Sequence, residues 1–212
     1  PLLGLLAFIR LGRHPRAESS VAQRQMLGYG WRVWIGSLSG ILLSRLDQIL
    51  LNPLAGEREL GLYVVAVNIS DVTLIVMTTV TSIMFTQDAR ERDDAVLAKT
   101  ARLTLLVMIL VTVVVGGSLP LWVGPFFGTG FEASIPAAWV MLVTYALTAP
   151  GVVAGTGLGA RGRPGSRSVS LIVAVMVNCV GVIVLAPLLG ALGTAVATFA
   201  GNGTAAALNL YF

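Results

Sequence analysis

The groups able to do chemistry in this 212-residue chain concentrate in one apolar stretch. Ser44-Arg45-Leu46-Asp47 lies well inside residues 33–52, a run long and apolar enough to cross a bilayer. Charged groups inside a span are costly, and they mark a water-filled cavity or a substrate path. A guanidinium in such a place can bind phosphate or carboxylate through paired donors. The same stretch carries Gln48 and Asn52, and the next apolar run carries Asn68 and Asp71. Arg45, Gln48, Asn52 and Asn68 are therefore the candidate binding residues. Asp47 and Asp71 are the candidates for pairing with Arg45 or for holding a cation. Asp47 sits about 160° from Arg45 on a helical wheel, which makes Asp71 the favoured ion-pair partner.

The elements that must position these groups are helices in a membrane. Hydrophobic residues make up 56% of the chain and charged residues 11%, with a mean hydropathy of +0.86. A soluble domain carries about 25% charged residues. The chain reads as an all-α polytopic membrane protein. Cys179 stands alone in an apolar run, which excludes an intrachain disulfide, and His14 has no second ligand near it in sequence. No catalytic residue, metal site or cofactor is expected. The pI of about 9.8 could suggest a nucleic-acid partner, but the basic residues lie in loops between spans, as membrane topology requires.

Residues 1–9 read as the tail of a transmembrane helix whose start is missing, and the chain as a piece of a longer protein. Residues 10–32, with Arg10, Arg13, Arg16, Arg24 and Arg32, form a long basic loop that includes a short surface helix after Pro15 and Glu18-Ser19-Ser20. Six complete spans follow in 33–212, at about 33–52, 61–86, 103–123, 135–157, 168–187 and 191–212. Loops 10–32, 87–102 and 158–167 hold twelve of the 14 Lys and Arg residues; the other two are Arg58 and Arg45. By the positive-inside rule these three loops are cytoplasmic, in a protein of the cytoplasmic (inner) membrane.

On the first span the wheel gathers Gly36, Ser37, Gly40, Ser44, Arg45, Asp47, Gln48 and Asn52 within about half the circumference, opposite Leu42, Leu43, Leu46, Ile49 and Leu50. Gly36-x-x-x-Gly40 predicts close approach of a neighbouring backbone. Asn52-Pro53 predicts the helix end, because a proline pushes its predecessor out of the α region. On the second span Asn68, Asp71, Thr78 and Ser82 share a face. The third is almost purely apolar and is expected to face lipid, with Pro120 as a kink or terminus. Pro150-Gly151 in the fourth predicts a bend. Asn178 in the fifth is expected to make an interhelical hydrogen bond, and the Gly- and Ala-rich sixth to pack tightly.

Several motifs then resemble one family. Ser44-Arg45-Leu46-Asp47-Gln48-Ile49-Leu50-Leu51 is followed by Glu59-Leu60-Gly61-Leu62-Tyr63-Val64-Val65-Ala66, and Asp71 lies eight residues past Tyr63. Trp122 to Phe131 contains a hydrophobic-Phe-Gly element. Leu185 to Ala195 contains P-x-x-G-x-x-G-A, with Thr194 standing between the last glycine and alanine. In order and spacing these resemble the polysaccharide flippases of the multidrug/oligosaccharidyl-lipid/polysaccharide (MOP) exporter superfamily, over about residues 30–212. The resemblance implies two six-helix lobes around a central cavity and transport by alternating access. This chain would be the C-terminal lobe, its N-terminal lobe missing, with 10–32 as the cytoplasmic connection between them.

The resemblance also implies the substrate, a lipid-linked oligosaccharide whose anionic head crosses while its tail stays in lipid. Arg45 would contact the diphosphate or an acidic sugar. Gln48, Asn52 and Asn68 would meet sugar hydroxyls. Asp47 and Asp71 would hold Arg45 in the empty cavity or bind a coupling H⁺ or Na⁺. Membrane lipids are the other expected partners; nucleic acid is not. A cation-coupled multidrug exporter of the same superfamily is the alternative, and Arg45 weighs against it. Short outer loops weigh against a membrane-embedded envelope glycosyltransferase or polymerase, and a scaffold or receptor role is a further alternative.

The charge asymmetry generates a direct test. In full-length protein with Cys179 replaced by Ala, a cysteine at position 95 should react with a membrane-impermeant maleimide only after permeabilisation. A cysteine replacing Arg58 should react in intact cells. The reverse pattern would overturn the orientation.

Overall fold

The computed structural model describes residues 19–91 and 93–212, with side chains described from 30 onward apart from those at 32, 33, 36, 43, 44 and 89–91. The predicted tail at 1–9 and the start of the basic segment lie outside the described residues. Among those described, the regular structure is entirely helical. In chain order it comprises α1 (Ser19–Ala55), α2 (Glu57–Glu91), α3 (Asp94–Phe127), a 3₁₀ turn (Thr129–Ser134), α4 (Ile135–Ala160) and a long helix, Pro164–Tyr211. The last is broken at Gly190 (φ 55°, ψ −130°) into α5 (164–189) and α6 (191–211). The described residues thus form six helices of an all-α polytopic membrane protein. Glu57–Asp88, Asp94–Phe127, Thr129–Ala160 and Pro164–Tyr211 are long and apolar enough to cross a membrane. α1 does not meet that measure over its described residues, because Arg45, Asp47, Gln48 and Asn52 interrupt its apolar run.

The helices outrun the expected spans at most ends. α1 starts at Ser19, so the latter part of the segment read as a loop is helix. At its other end α1 continues through Pro53 and stops at Gly56, whose φ of 89° only glycine adopts freely. Its N–H bonds the Asn52 carbonyl at 2.9 Å. A proline in a last turn forgoes one bond, and the glycine, not the proline, ends the helix. α3 begins where the Asp93 carboxylate accepts from the Ala95 and Val96 amides at 2.8 and 3.3 Å.

α4 is the central helix. It packs against α2, α3 and the α5–α6 pair, and that pair also packs against α1. α5 and α6 form an antiparallel hairpin: Asn178 bonds Thr198, Gly181 faces Ala197, and Ala174 packs with Ala205. Between α4 and α6, a Cβ at Gly151 would lie 2.3 Å from the Ala206 Cα. Between α3 and α4, a Cβ at Gly116 would lie 2.7 Å from the Trp139 ring. Gly151 thus serves close packing, and α4 stays helical through Pro150. Gly40 makes no such approach; its nearest neighbour is the Leu171 side chain at 4.0 Å. α3 does turn an apolar face outward, with Leu110 64% and Val114 61% exposed. It also buries the stripe Thr104, Met108, Thr112, Gly116, Leu119 and Val123, and Thr112 donates to the Leu142 carbonyl of α4 at 3.1 Å.

Gly151→Ala should therefore cost about 1–3 kcal/mol through overpacking, read as a lower unfolding midpoint in detergent. Gly117→Ala, with open space around the added methyl, should be neutral or stabilising by up to ~1 kcal/mol. Equal midpoints for the two variants would refute the close α4–α6 contact.

Candidate functional site

The Asp47 carboxylate is buried in the bundle, 2% exposed, although α1 carries it on a helix with a wide outward face. An ionised carboxylate only accepts hydrogen bonds, so burial demands donors. Tyr63 of α2, fully buried, donates its hydroxyl to Asp47 Oδ2 in a short bond. Thr198 of α6 donates to the same oxygen at 3.2 Å. Asp47 Oδ1 accepts from the backbone N–H of Gln48 at 2.7 Å. The Tyr63 and Thr198 hydroxyls lie 3.0 Å apart, and Thr198 Oγ1 accepts from Asn178 Nδ2 at 3.2 Å. Met141 of α4 brings its sulfur to 3.9 Å from the Tyr63 hydroxyl. One polar hub thus joins α1, α2, α5 and α6 and touches α4. Asp47 sits ~14 Å along α1 from Gly56, at about 1.5 Å per residue. Asn178 is also fully buried, and its Oδ1 has no partner.

Asp71, half-buried on α2, accepts from the Tyr145 hydroxyl of α4 at 3.3 Å. Arg45 is exposed and makes no ion pair with Asp47 or Asp71. The expected Arg45–Asp71 pair does not form, because Asp71 turns toward Tyr145 while Arg45 points away from the packed face of α1. The Arg45 charge still acts electrostatically on both Asp47 and Tyr145. Gln48 is half-buried, and Asn52 and Asn68 are exposed. No hydrogen bond joins Arg45, Gln48, Asn52 and Asn68 through their side chains. The polar arc drawn on the wheel of α1 is therefore divided: Asp47 turns inward with Leu51, and Arg45 and Asn52 turn outward along with Ile49.

Each end of the bundle has its own fastening. Gly190 and Ala191 open α6, and the Ala191 N–H donates to Glu59 Oε2 at 2.9 Å. A Cβ at Gly190 would lie 2.1 Å from that oxygen, so both the positive φ and the Glu59 contact require glycine. This joins loops 53–60 and 187–190. At the opposite end Arg161 meets Asp88 through two bonds of 2.8 Å and also reaches Asp94. This joins loops 87–102 and 158–167, so the basic loops share one end. The bonds to Asp88 and then to Asp94 hold the Arg161 guanidinium protonated above the usual arginine range.

Tyr63 and Thr198 were not among the candidate site residues. Tyr63 lies in the Leu60-Gly61-Leu62-Tyr63 motif, which was the one signal available for it. Thr198 lies in a Gly- and Ala-rich helix far from Asp47 in sequence and carried no signal. Among the described residues no cluster of three or more His, Cys, Asp or Glu side chains could hold a metal.

This is a helical membrane bundle with a buried acidic hub and an arginine exposed on the other side of the helix that carries the hub carboxylate. The chain belongs to the polysaccharide biosynthesis protein family, whose sequence profile matches residues 2–127. The match runs from the N-terminal segment to the end of α3, whereas the motif resemblance extends into α6. Neither curated proteins nor solved structures provide a match. Family and fold together make it a membrane-embedded protein of polysaccharide biosynthesis or transport.

Tyr63→Phe removes a donor from a buried carboxylate and should lower stability by about 1–3 kcal/mol. Thr198→Val should cost about as much alone. In a double-mutant cycle followed by thermal unfolding the two should be non-additive; strict additivity would mean that they do not share Asp47. Arg161→Ala strands Asp88, 3% exposed, and should cost about 2–3 kcal/mol.

Proposed function

We propose that the chain is the C-terminal lobe of a transporter that carries a lipid-linked oligosaccharide across the cytoplasmic membrane by alternating access, and that it has no catalytic residue. The observation that carries this reading is the split of charge on α1: an exposed arginine on one side and a buried, hydroxyl-bonded carboxylate on the other. Arg45 meets the diphosphate or acidic sugar of the head through paired donors, and Gln48, Asn52 and Asn68 offer amides to sugar hydroxyls. A first lobe, joined through residues 10–32, faces α1 and α2 and completes the cavity. The basic loops face the cytoplasm.

Asp47 is the coupling residue in this reading. A proton on Asp47 makes an acceptor-only group into a donor and so disturbs the bonds from Tyr63 and Thr198. Na⁺ would instead draw on the oxygens of Asp47 and Thr198 and on the unpartnered Asn178 Oδ1, all hard ligands suited to such an ion. Either event alters the contact between α1 and α6. The Asp71–Tyr145 pair offers a second titratable position. A cation-coupled multidrug exporter is the second reading, favoured by an acidic hub with no arginine bonded to it.

The test uses the full-length protein in a strain lacking its own flippase, with surface polysaccharide as readout and membrane levels checked. Wild type should restore export, Arg45→Ala and Arg45→Lys should lose most of it, and Asp47→Asn should abolish its dependence on the proton or sodium gradient. Normal export by both Arg45 variants would remove Arg45 from the substrate path. Failure of wild type to rescue, together with lowered drug accumulation, would favour the multidrug reading.

A further inference from the structure

A cleft of about 590 Å³ opens at the end of the bundle that carries the basic loops, away from the Asp47 hub. The start of α3, the end of α4 and the end of α6 enclose it. Its walls are largely apolar, including Leu97, Ala101, Leu158 and Leu210. Three polar features interrupt them. Asp94 and Arg161 are bonded to each other at the rim. Arg163 is exposed and makes no ion pair among the described residues. Asn209 is 7% exposed, and its buried Oδ1 has no hydrogen-bond partner.

The local backbone explains how Arg163 comes to stand there. α4 ends in a turn in which Gly162 has φ 80°, the Arg161 N–H bonds Gly157 O, and the Arg163 N–H bonds Leu158 O at 2.9 Å. Pro164 then starts α5. The turn thus holds Arg163 beside the cleft without using its guanidinium. Across the cleft, a Cβ at Gly155 would meet the Asn209 side-chain nitrogen at 2.5 Å. The glycine lets Asn209 lie flat against α4, so the amide is a packed part of the wall.

We propose that this cleft is a binding site for an anionic phospholipid whose headgroup carries free hydroxyls. The phosphate pairs with Arg163, which among the described residues is the cation of the cleft with no carboxylate bonded to it. A headgroup hydroxyl donates to Asn209 Oδ1, which needs a donor that an ionised phosphodiester cannot supply. The acyl chains lie along the apolar walls. Basic pockets between helices near a membrane surface recognise lipid headgroups by this chemistry, and the volume is in the range of small-molecule sites. Lys99 and Arg102, exposed on the same stretch of α3, add to the attraction. This inference concerns a surface apart from α1 and does not depend on the transport reading.

Native mass spectrometry of the full-length protein in detergent tests it, with phosphatidylglycerol, phosphatidylmethanol (an anionic phosphodiester with no free hydroxyl) and phosphatidylcholine offered at equal concentrations. Phosphatidylglycerol should bind best, and Arg163→Ala should weaken it about five- to tenfold, as expected for one basic group at a membrane surface. Arg58→Ala, at the opposite end, should leave it unchanged. Asn209→Leu should remove the preference for phosphatidylglycerol over phosphatidylmethanol while phosphatidylmethanol still binds. If that variant does not fold, the wild-type preference carries this arm. Equal binding of phosphatidylglycerol and phosphatidylcholine, or an unaffected Arg163→Ala, would overturn the site. Displacement of the lipid by millimolar inorganic phosphate would show a free-anion site and overturn the lipid assignment.

Discussion

A buried carboxylate cannot supply its own hydrogen-bond donors, and the bundle is arranged around meeting that demand at Asp47. One donor is the next backbone amide, and two are hydroxyls from distant helices, Tyr63 on α2 and Thr198 on α6. Leaving any of them out would expose charge to an apolar interior at a cost of several kcal/mol. The requirement sets the rotation of α1, since the face bearing Asp47 must point inward. Arg45, two residues earlier, is then carried to the opposite side. The same constraint orients α6 through Thr198 and links it to α5 through Asn178.

Small residues make that geometry reachable. Gly151 against Ala206 and Gly181 against Ala197 bring backbones together so that short hydroxyl side chains can span the gap. Lipid offers no hydrophobic drive for helices to associate, so close packing and interhelical bonds must hold them. Glu59 at one end and Arg161 at the other tie the loops in pairs. A bundle pinned at both ends and at its hub is suited to move as a unit. The exposed polar groups of α1 and α2 then remain available to whatever fills the space beside them.

Much of the architecture was legible in the residues. Apolar runs of spanning length and alternating basic loops gave six helices and their order, because a bilayer constrains length and charge more tightly than water does. Helix ends were less legible: Gly56 stops α1 where Asn52-Pro53 suggested the end, and the cap at Asp93 starts α3 well before its apolar run. The close approach expected at Gly40 lies elsewhere. Gly36-x-x-x-Gly40 has the familiar spacing; Gly36 lies outside the described side chains, and at Gly40 the neighbour is a leucine side chain 4.0 Å away, whereas a Cβ at the isolated Gly151 would lie 2.3 Å from the Ala206 backbone. Spacing within one helix does not reveal which face a partner will meet.

The sequence by itself determined the class: an all-α membrane protein with charges placed inside a span, since composition and run length follow directly from solvation in lipid. It also singled out Arg45, Asp47 and Asp71, because an ionisable group in an apolar run is conspicuous without any knowledge of its neighbours. Only the tertiary structure decided their fates. It buried Asp47 against Tyr63 and Thr198, gave Asp71 to Tyr145, and left Arg45 exposed and without an ion pair to either aspartate. The physical reason is that hydrogen-bond partners here come from helices distant along the chain. A helical wheel describes one helix, and a partner is set by how several helices pack.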